Sequence, residues 1–250
     1  MRTRRDSMIV ISRVGLSDLY TEDARRFIEA RGGEVKTGAE VAAIEFAEAR
    51  AIAVRLKTGE RINAQTVTSS VPPSALASLL PAHLIDRHAA FQNLTSFKSS
   101  PIISVNLWYD EPVTDLEFVG LLDSRIEWVF NKNAIVGKNQ RQQHLALVTS
   151  GAHEAARMTK EELIEMATAE MRRFFPAARR VRLNHAHVVR EHEATISHTV
   201  GVAKLRPPQK TGLENFYLAG DWTETGLPAT IEGAVRSGRA CAEAIIGKDH

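Results

Sequence analysis

The sequence predicts an α+β fold built on a mixed sheet. Strand-like runs dominate residues 41–149, amphipathic helical patterns flank them at 17–31, 160–175 and 229–246, and no repeat or linker divides the chain. The 250 residues carry 32 Lys+Arg against 30 Asp+Glu, a formal net charge of +2. That length is ample for a buried core, and 44% hydrophobic with 25% charged residues excludes disorder. Near-neutral charge gives no electrostatic footprint for nucleic acid. One cysteine, Cys241, excludes a disulfide framework and a multi-cysteine metal site. No apolar run approaches the ~18 residues of a membrane span. These features predict a soluble cytoplasmic chain. Its basic start, Arg2, Arg4 and Arg5, offers a contact for anionic lipid at the inner membrane face.

The first helix is expected over 17–31. Leu16, Leu19, Tyr20, Phe27 and Ile28 share one face, Ser17 offers an N-cap, and Gly32 and Gly33 stop the helix in left-handed backbone. Strands at 41–46 and 51–56, a turn at 57–60 and a return strand at 61–64 make a meander. A short strand over 65–71 ends at Pro72 and Pro73, because proline cannot donate to a ladder. A short helix follows at 74–80, then strands at 102–109, 127–130 and 145–149. Thr159 caps a helix over 160–175, with Leu163, Ala167 and Met171 along one side, and Pro176 ends it. Strands at 181–190 and 215–219, a loop at 220–228 and a helix over 229–246 complete the order.

Residues 215–238, NFYLAGDWTETGLPATIEGAVRSG, carry the chemistry. Strand, glycine-rich loop and helix is the form that presents helix N-terminal amides to an anion. Gly220 lets a ligand approach the backbone. Asp221 cannot neutralise a phosphate and reads as an acceptor for a sugar-like hydroxyl. Gly233, Ala234 and Gly238 offer a smooth helix face. Pattern alone fits equally well a tightly packed strand–loop–helix with a capping threonine. Glu232 reads as an acid well placed at a helix N-terminus. His185 and His187 share a strand face, but nothing makes His192 and His198 converge, so no metal site is expected. The pairs Trp108–Tyr109 and Trp128–Phe130 read as core, with Trp128 also a candidate for lining an apolar pocket. Cys241, between two alanines, reads as a small packing residue.

The string AGDWTETGLPATIEGAVRSGRACAEAI resembles the C-terminal FAD-binding segment of the flavin amine oxidase and carotenoid desaturase superfamily. Its form GDWT–TGLPATIEGAVRSG is most similar to the hydroxysqualene dehydroxylase branch. ISRVGLSDLYTEDARRFIEARGGEVKTGAEV, VTSSVPPSAL, FVGLLDSRIEWVFNK and VVREHEATI resemble further blocks of that family. The resemblance implies FAD as cofactor. It places Val41 at the adenine edge, Gly220 and Asp221 at the ribityl–pyrophosphate part, and Ala229, Thr230 and Ile231 at the helix start near the flavin ring. It implies a partial FAD-binding domain over 1–72, a substrate domain over 73–210 and the C-terminal strand–loop–helix of a Rossmann-like FAD domain over 211–250. The family's G-x-G-x-x-G turn occurs nowhere in this chain. The expectation is therefore a C-terminal portion of such an enzyme, whether a truncated gene product, one half of a split gene or an excerpt, with a separate N-terminal FAD-binding half as a candidate partner. The implied substrate is a C30 polyisoprenoid, and the implied reaction is reductive dehydroxylation of hydroxysqualene to squalene for hopanoid synthesis. Carotenoid-type desaturation and amine oxidation are the alternatives on the same scaffold. An inactive fragment or partner subunit is the alternative of another class.

Overall fold

The computed structural model describes residues 8–137 and 142–247. Arg2, Arg4 and Arg5, the expected lipid contact, lie outside the described residues. In chain order the elements are α1 (Leu16–Glu29), β1 (Val41–Ala47), β2 (Arg50–Leu56), β3 (Arg61–Asn63) and β4 (Val67–Ser69). Then come α2 (Pro73–Leu79), α3 (Ala82–Arg87), α4 (Ala89–Gln92), β5 (Ser99–Tyr109), β6 (Phe118–Gly120), β7 (Trp128–Asn131) and α5 (Lys132–Val136). The remainder is β8 (Gln143–Ser150), α6 (Lys160–Phe174), β9 (Leu183–Ile196), β10 (Phe216–Leu218) and α7 (Ile231–Ile245).

The chain forms two compact units, Met1–Val35 with Ser100–Ala194 and Lys36–Ser99 with Thr195–His250. They divide the chain differently from the three spans expected above. The first helix groups with the sheet-bearing insert, and the insert begins near 100 rather than 73.

In the first unit the sheet order is β6–β7–β8–β5–β9. Alternation puts Ile103, Val105, Leu107 and Tyr109 of β5 on one face with Leu145 and Leu147 of β8, all buried. Leu163, Ala167 and Met171 of α6 pack against them at helical spacing. Tyr109 is core, as expected, and burial pushes its phenol up to about 12. Helix α6 opens on a capping box. Glu162 N–H donates to Thr159 Oγ1 at 3.1 Å, and Thr159 N–H donates to Glu162 Oε2 at 2.7 Å. Helix α1 starts at Leu16 behind Gly15, whose carbonyl accepts from Asp18 N–H, so Ser17 is not its cap. Gly32 is left-handed, as the sequence predicts. No residue of α1 is buried, and the apolar stripe of Leu16, Leu19, Tyr20, Phe27 and Ile28 is exposed.

In the second unit β1, β2 and β3 form the expected antiparallel meander. Beside it, β4 and β10 make a two-stranded parallel sheet, Val67 opposite Phe216 and Ser69 opposite Leu218. Phe216 is fully buried and meets Phe46 and Phe91 edge-on, at 5.5 and 5.9 Å between centroids. Asn215 ties the two sheets. Its Oδ1 accepts from Ala51 N–H at 2.8 Å, and its Nδ2 donates to the carbonyls of Ala51 and Gln65, both at 2.7 Å. Helix α7 starts two residues later than expected. Ala229 N–H donates to His198 Nε2 at 3.3 Å instead, and Thr230 is extended (φ −145°), which makes it the N-cap.

Candidate cofactor and substrate sites

Strand β10, parallel to β4, runs into the loop at 220–228, and α7 leaves it. Gly220 has φ +120°, and its N–H donates to Ser237 Oγ at 2.7 Å. A Cβ there would lie 2.8 Å from Trp222 Nε1 and 2.9 Å from Cδ1. Trp222 is 2% exposed, donates Nε1–H to the Val71 carbonyl at 3.0 Å, and meets Phe97 edge-on. The bare backbone at Gly220 is thus required by the chain's own tryptophan, a reason independent of any ligand.

Arg206 braces the loop from within. Its guanidinium donates to the carbonyls of Asp221 and Leu227, to the Trp222 carbonyl at 3.3 Å and to Thr225 Oγ1 at 3.3 Å. Burial lowers its pKa, and the carboxylates of Asp221 and Glu224 oppose that shift. Gln209 adds bonds to Thr223 Oγ1 and the Glu224 carbonyl. Arg206, His198, Glu224, Thr225 and Pro228 line a cavity of about 350 Å³. Sequence reasoning missed Arg206, which precedes the loop and carries no motif signal. His198, which the sequence offers only as a histidine with no metal partner, accepts from the Ala229 amide.

At the start of α7, Thr230 Oγ1 accepts from Gly233 N–H at 3.2 Å. Glu232 turns to Arg236 at 2.7 Å. Ile231 is 58% exposed. The buried side of α7 is Gly233, Ser237 and Cys241, with Cys241 Sγ 3.6 Å from Thr68 Oγ1. Cys241 is the packing residue the sequence predicts, but Gly238, expected on this face, is exposed. The structure therefore gathers Gly220, Asp221, Ala229, Thr230 and Ile231 on one loop and helix end. Val41 stands in a different sheet, opposite Leu56 at the start of β1.

This donor set fits one end of FAD. Parallel strands ending at a helix N-terminus suit an anionic group. The capping hydroxyl takes only the Gly233 N–H, and the one acid in the first turn of α7 is drawn off by Arg236.

The second candidate is the other face of the five-stranded sheet. Trp128, 39% exposed, stands with Phe118 and Phe130 at centroid distances of 6.3 and 6.2 Å. Farther along, Trp108 stacks on His144 at 4.1 Å and 12°. Trp108 is thus not the core residue that sequence predicts; only its neighbour Tyr109 is. His185 lies 5.0 Å from Trp108. Among the described residues no three of His, Cys, Asp and Glu gather to hold a metal ion. No helix among them is long and apolar enough to cross a membrane.

Comparison with known proteins matches residues 2–246 to the family described as flavin containing amine oxidoreductase. Hydroxysqualene dehydroxylase of Sinorhizobium fredii is 29% identical over 238 residues, which cover 94% of this chain and 52% of that protein. The 15-cis-phytoene desaturase of Solanum lycopersicum is 29% identical over 230 residues, 88% of this chain and 39% of that one. A putrescine oxidase variant (A394C) with redesigned cofactor binding shares the fold at TM-score 0.68 and 18% identity, covering 92% of this chain and 53% of that one. The chain spans about half the length of the dehydroxylase it matches.

Proposed function

The chain belongs to the flavin containing amine oxidoreductase family, whose cofactor is FAD, and on that premise we propose that it forms the substrate-bearing portion of an oxidoreductase acting on a polyisoprenoid. The reaction we assign is removal of the allylic hydroxyl of hydroxysqualene to give squalene, a step of hopanoid synthesis. One observation carries this reading. The relatives similar in sequence are named for hydroxysqualene and phytoene, whereas the putrescine oxidase is alike only in fold. The helix start supports it: Pro228, Ala229 and Thr230 include no aromatic residue, which leaves room for a bulky chain.

FAD supplies the hydride chemistry when bound. Gly220, Asp221, Ala229, Thr230 and Ile231 would hold its ribityl and ring end, and Val41 its adenine end. Arg206 keeps the loop closed through its four acceptors. The aromatic sheet face carrying Trp128 offers apolar area, about 25 cal/mol per Å² buried, to a long hydrocarbon with few polar contacts.

The test is to co-express the chain with the N-terminal half of the S. fredii dehydroxylase and supply hydroxysqualene, phytoene or putrescine. Squalene from the alcohol is the expected product. Desaturated phytoene instead would favour the carotenoid branch, which the phytoene desaturase relatives support. Oxidised amine with no squalene would overturn the assignment. No turnover of any substrate, with a folded complex, would favour an inactive subunit.

A further inference from the structure

The face of the five-stranded sheet opposite the α6 core has an internal order that the pairing register makes explicit. Phe118 lies opposite Phe130, and Phe130 opposite Ala146. Ala146 is opposite Asn106, Val148 opposite Ser104, and His144 opposite Trp108. Residues directly opposite share a face, so an aromatic strip at one side passes over small residues to a polar point at the other. These side chains are half-buried.

The polar point is a hydrogen-bonded pair. His144 Nε2 lies 2.8 Å from Asn106 Oδ1. An amide oxygen only accepts, so Nε2 carries the proton and Nδ1 keeps its lone pair. Among the described residues Nδ1 has no partner of its own. Asn106 is steadied in turn by a 3.4 Å bond from its Nδ2 to Ser104 Oγ. Trp108 covers one side of the imidazole. Burial, with the Lys132 ammonium nearby, holds the imidazole down to about 4, so the ring is neutral at physiological pH.

A neutral acceptor of fixed tautomer, walled by an indole and approached along aromatic rungs, matches a ligand that is apolar along its length and carries one hydroxyl. We infer that His144, oriented by Asn106, receives the hydroxyl hydrogen of an isoprenoid alcohol lying across Phe130 and Trp128. The pair fixes the position of the hydroxyl and thereby distinguishes the alcohol from its hydrocarbon. The inference rests on the isoprenoid reading above and adds the residue that reads the functional group.

The test uses the intact chain and two probes, farnesol and farnesene, titrated against tryptophan fluorescence in dilute detergent. Farnesol should bind about tenfold more tightly, the difference expected of one hydrogen bond. His144→Phe, which keeps the stacking surface, should abolish that preference and leave farnesene binding unchanged. Asn106→Leu should weaken the preference through loss of orientation, and His144→Gln, still an acceptor, should restore part of it. Near-ultraviolet circular dichroism of each variant tests that the sheet is intact. Equal binding of the two probes by the unaltered chain, or an undiminished preference in a folded His144→Phe variant, would overturn the inference and leave the isoprenoid reading standing. Binding of neither probe, with putrescine bound instead, would remove both.

Discussion

Replacing a guanidinium that serves four acceptors leaves carbonyls without donors. Arg206→Met would keep much of the packing volume and strip those bonds. We expect a loss of about 2 kcal/mol in denaturant unfolding, with faster hydrogen exchange across 221–227, and only partial recovery in Arg206→Lys, whose ammonium cannot fork. Unchanged exchange in that loop would show that Trp222 packing alone holds it. Why Gly220 and Asp221 could be placed on the loop from sequence and Arg206 could not be placed beside it follows from where the information lies. The first two sit inside a contiguous string whose order is itself the signal. Arg206 acts only once the chain has doubled back to place 221–227 around it. His144 is similar. Its role comes from lying opposite Trp108 and diagonal to Asn106 on another strand, which no local pattern encodes.

Elements with enough length to repeat their period were readable. Helix α6 shows its face over four turns, and its capping box stands in the sequence as Thr159 followed by Glu162. Thr159→Ala should therefore cost about 1 kcal/mol, checked by thermal or urea unfolding. A neutral result would mean that packing of Leu163, Ala167 and Met171 fixes the helix start unaided. Helices α3, α4 and α5 and strand β6 were not foreseen, since each is too short to display a period; the equally short β3, β4 and β10 were legible from the turn, the prolines and the glycine-rich loop that bound them. Strand β9 runs past its expected end at 190 to Ile196 because it pairs with β5, although 191–195 is polar and nearly featureless. Helix α1 teaches the opposite lesson. Its apolar stripe is plain in the sequence, yet none of it is buried among the described residues.

For the molecule as a whole, the α+β class and the meander were legible, but not the way the chain divides. Period and turn chemistry report neighbours in sequence. The resemblance implies that 35–71 and 215–246 pack together although far apart in sequence, and they do; the parallel pairing of β4 with β10 is what the structure adds. That pair is also the basis of the last prediction. A two-stranded parallel sheet with one helix N-terminus gives an anionic cofactor only part of a binding site. The purified chain should be colourless or nearly so. A stoichiometric flavin spectrum from the chain alone would overturn this and make the loop and α7 a sufficient cradle.

Strands β5 and β9 are tied at both ends, Asp110 N–H to the Arg182 carbonyl at one and Ser197 N–H to the Lys98 carbonyl at the other, the second bond standing beside the two ends of the inserted segment. This bears on the order of folding. Asn215 must find Gln65 across 150 residues. Closing so long a loop is entropically unfavourable, and the penalty grows with the logarithm of its length. If β5 and β9 zip first, most of that loop is withdrawn from the search, and β4 and β10 meet across a much shorter free chain. The insert would then act as a clasp whose closure precedes the pairing of β4 with β10, so that slowing β5–β9 pairing slows the appearance of both units.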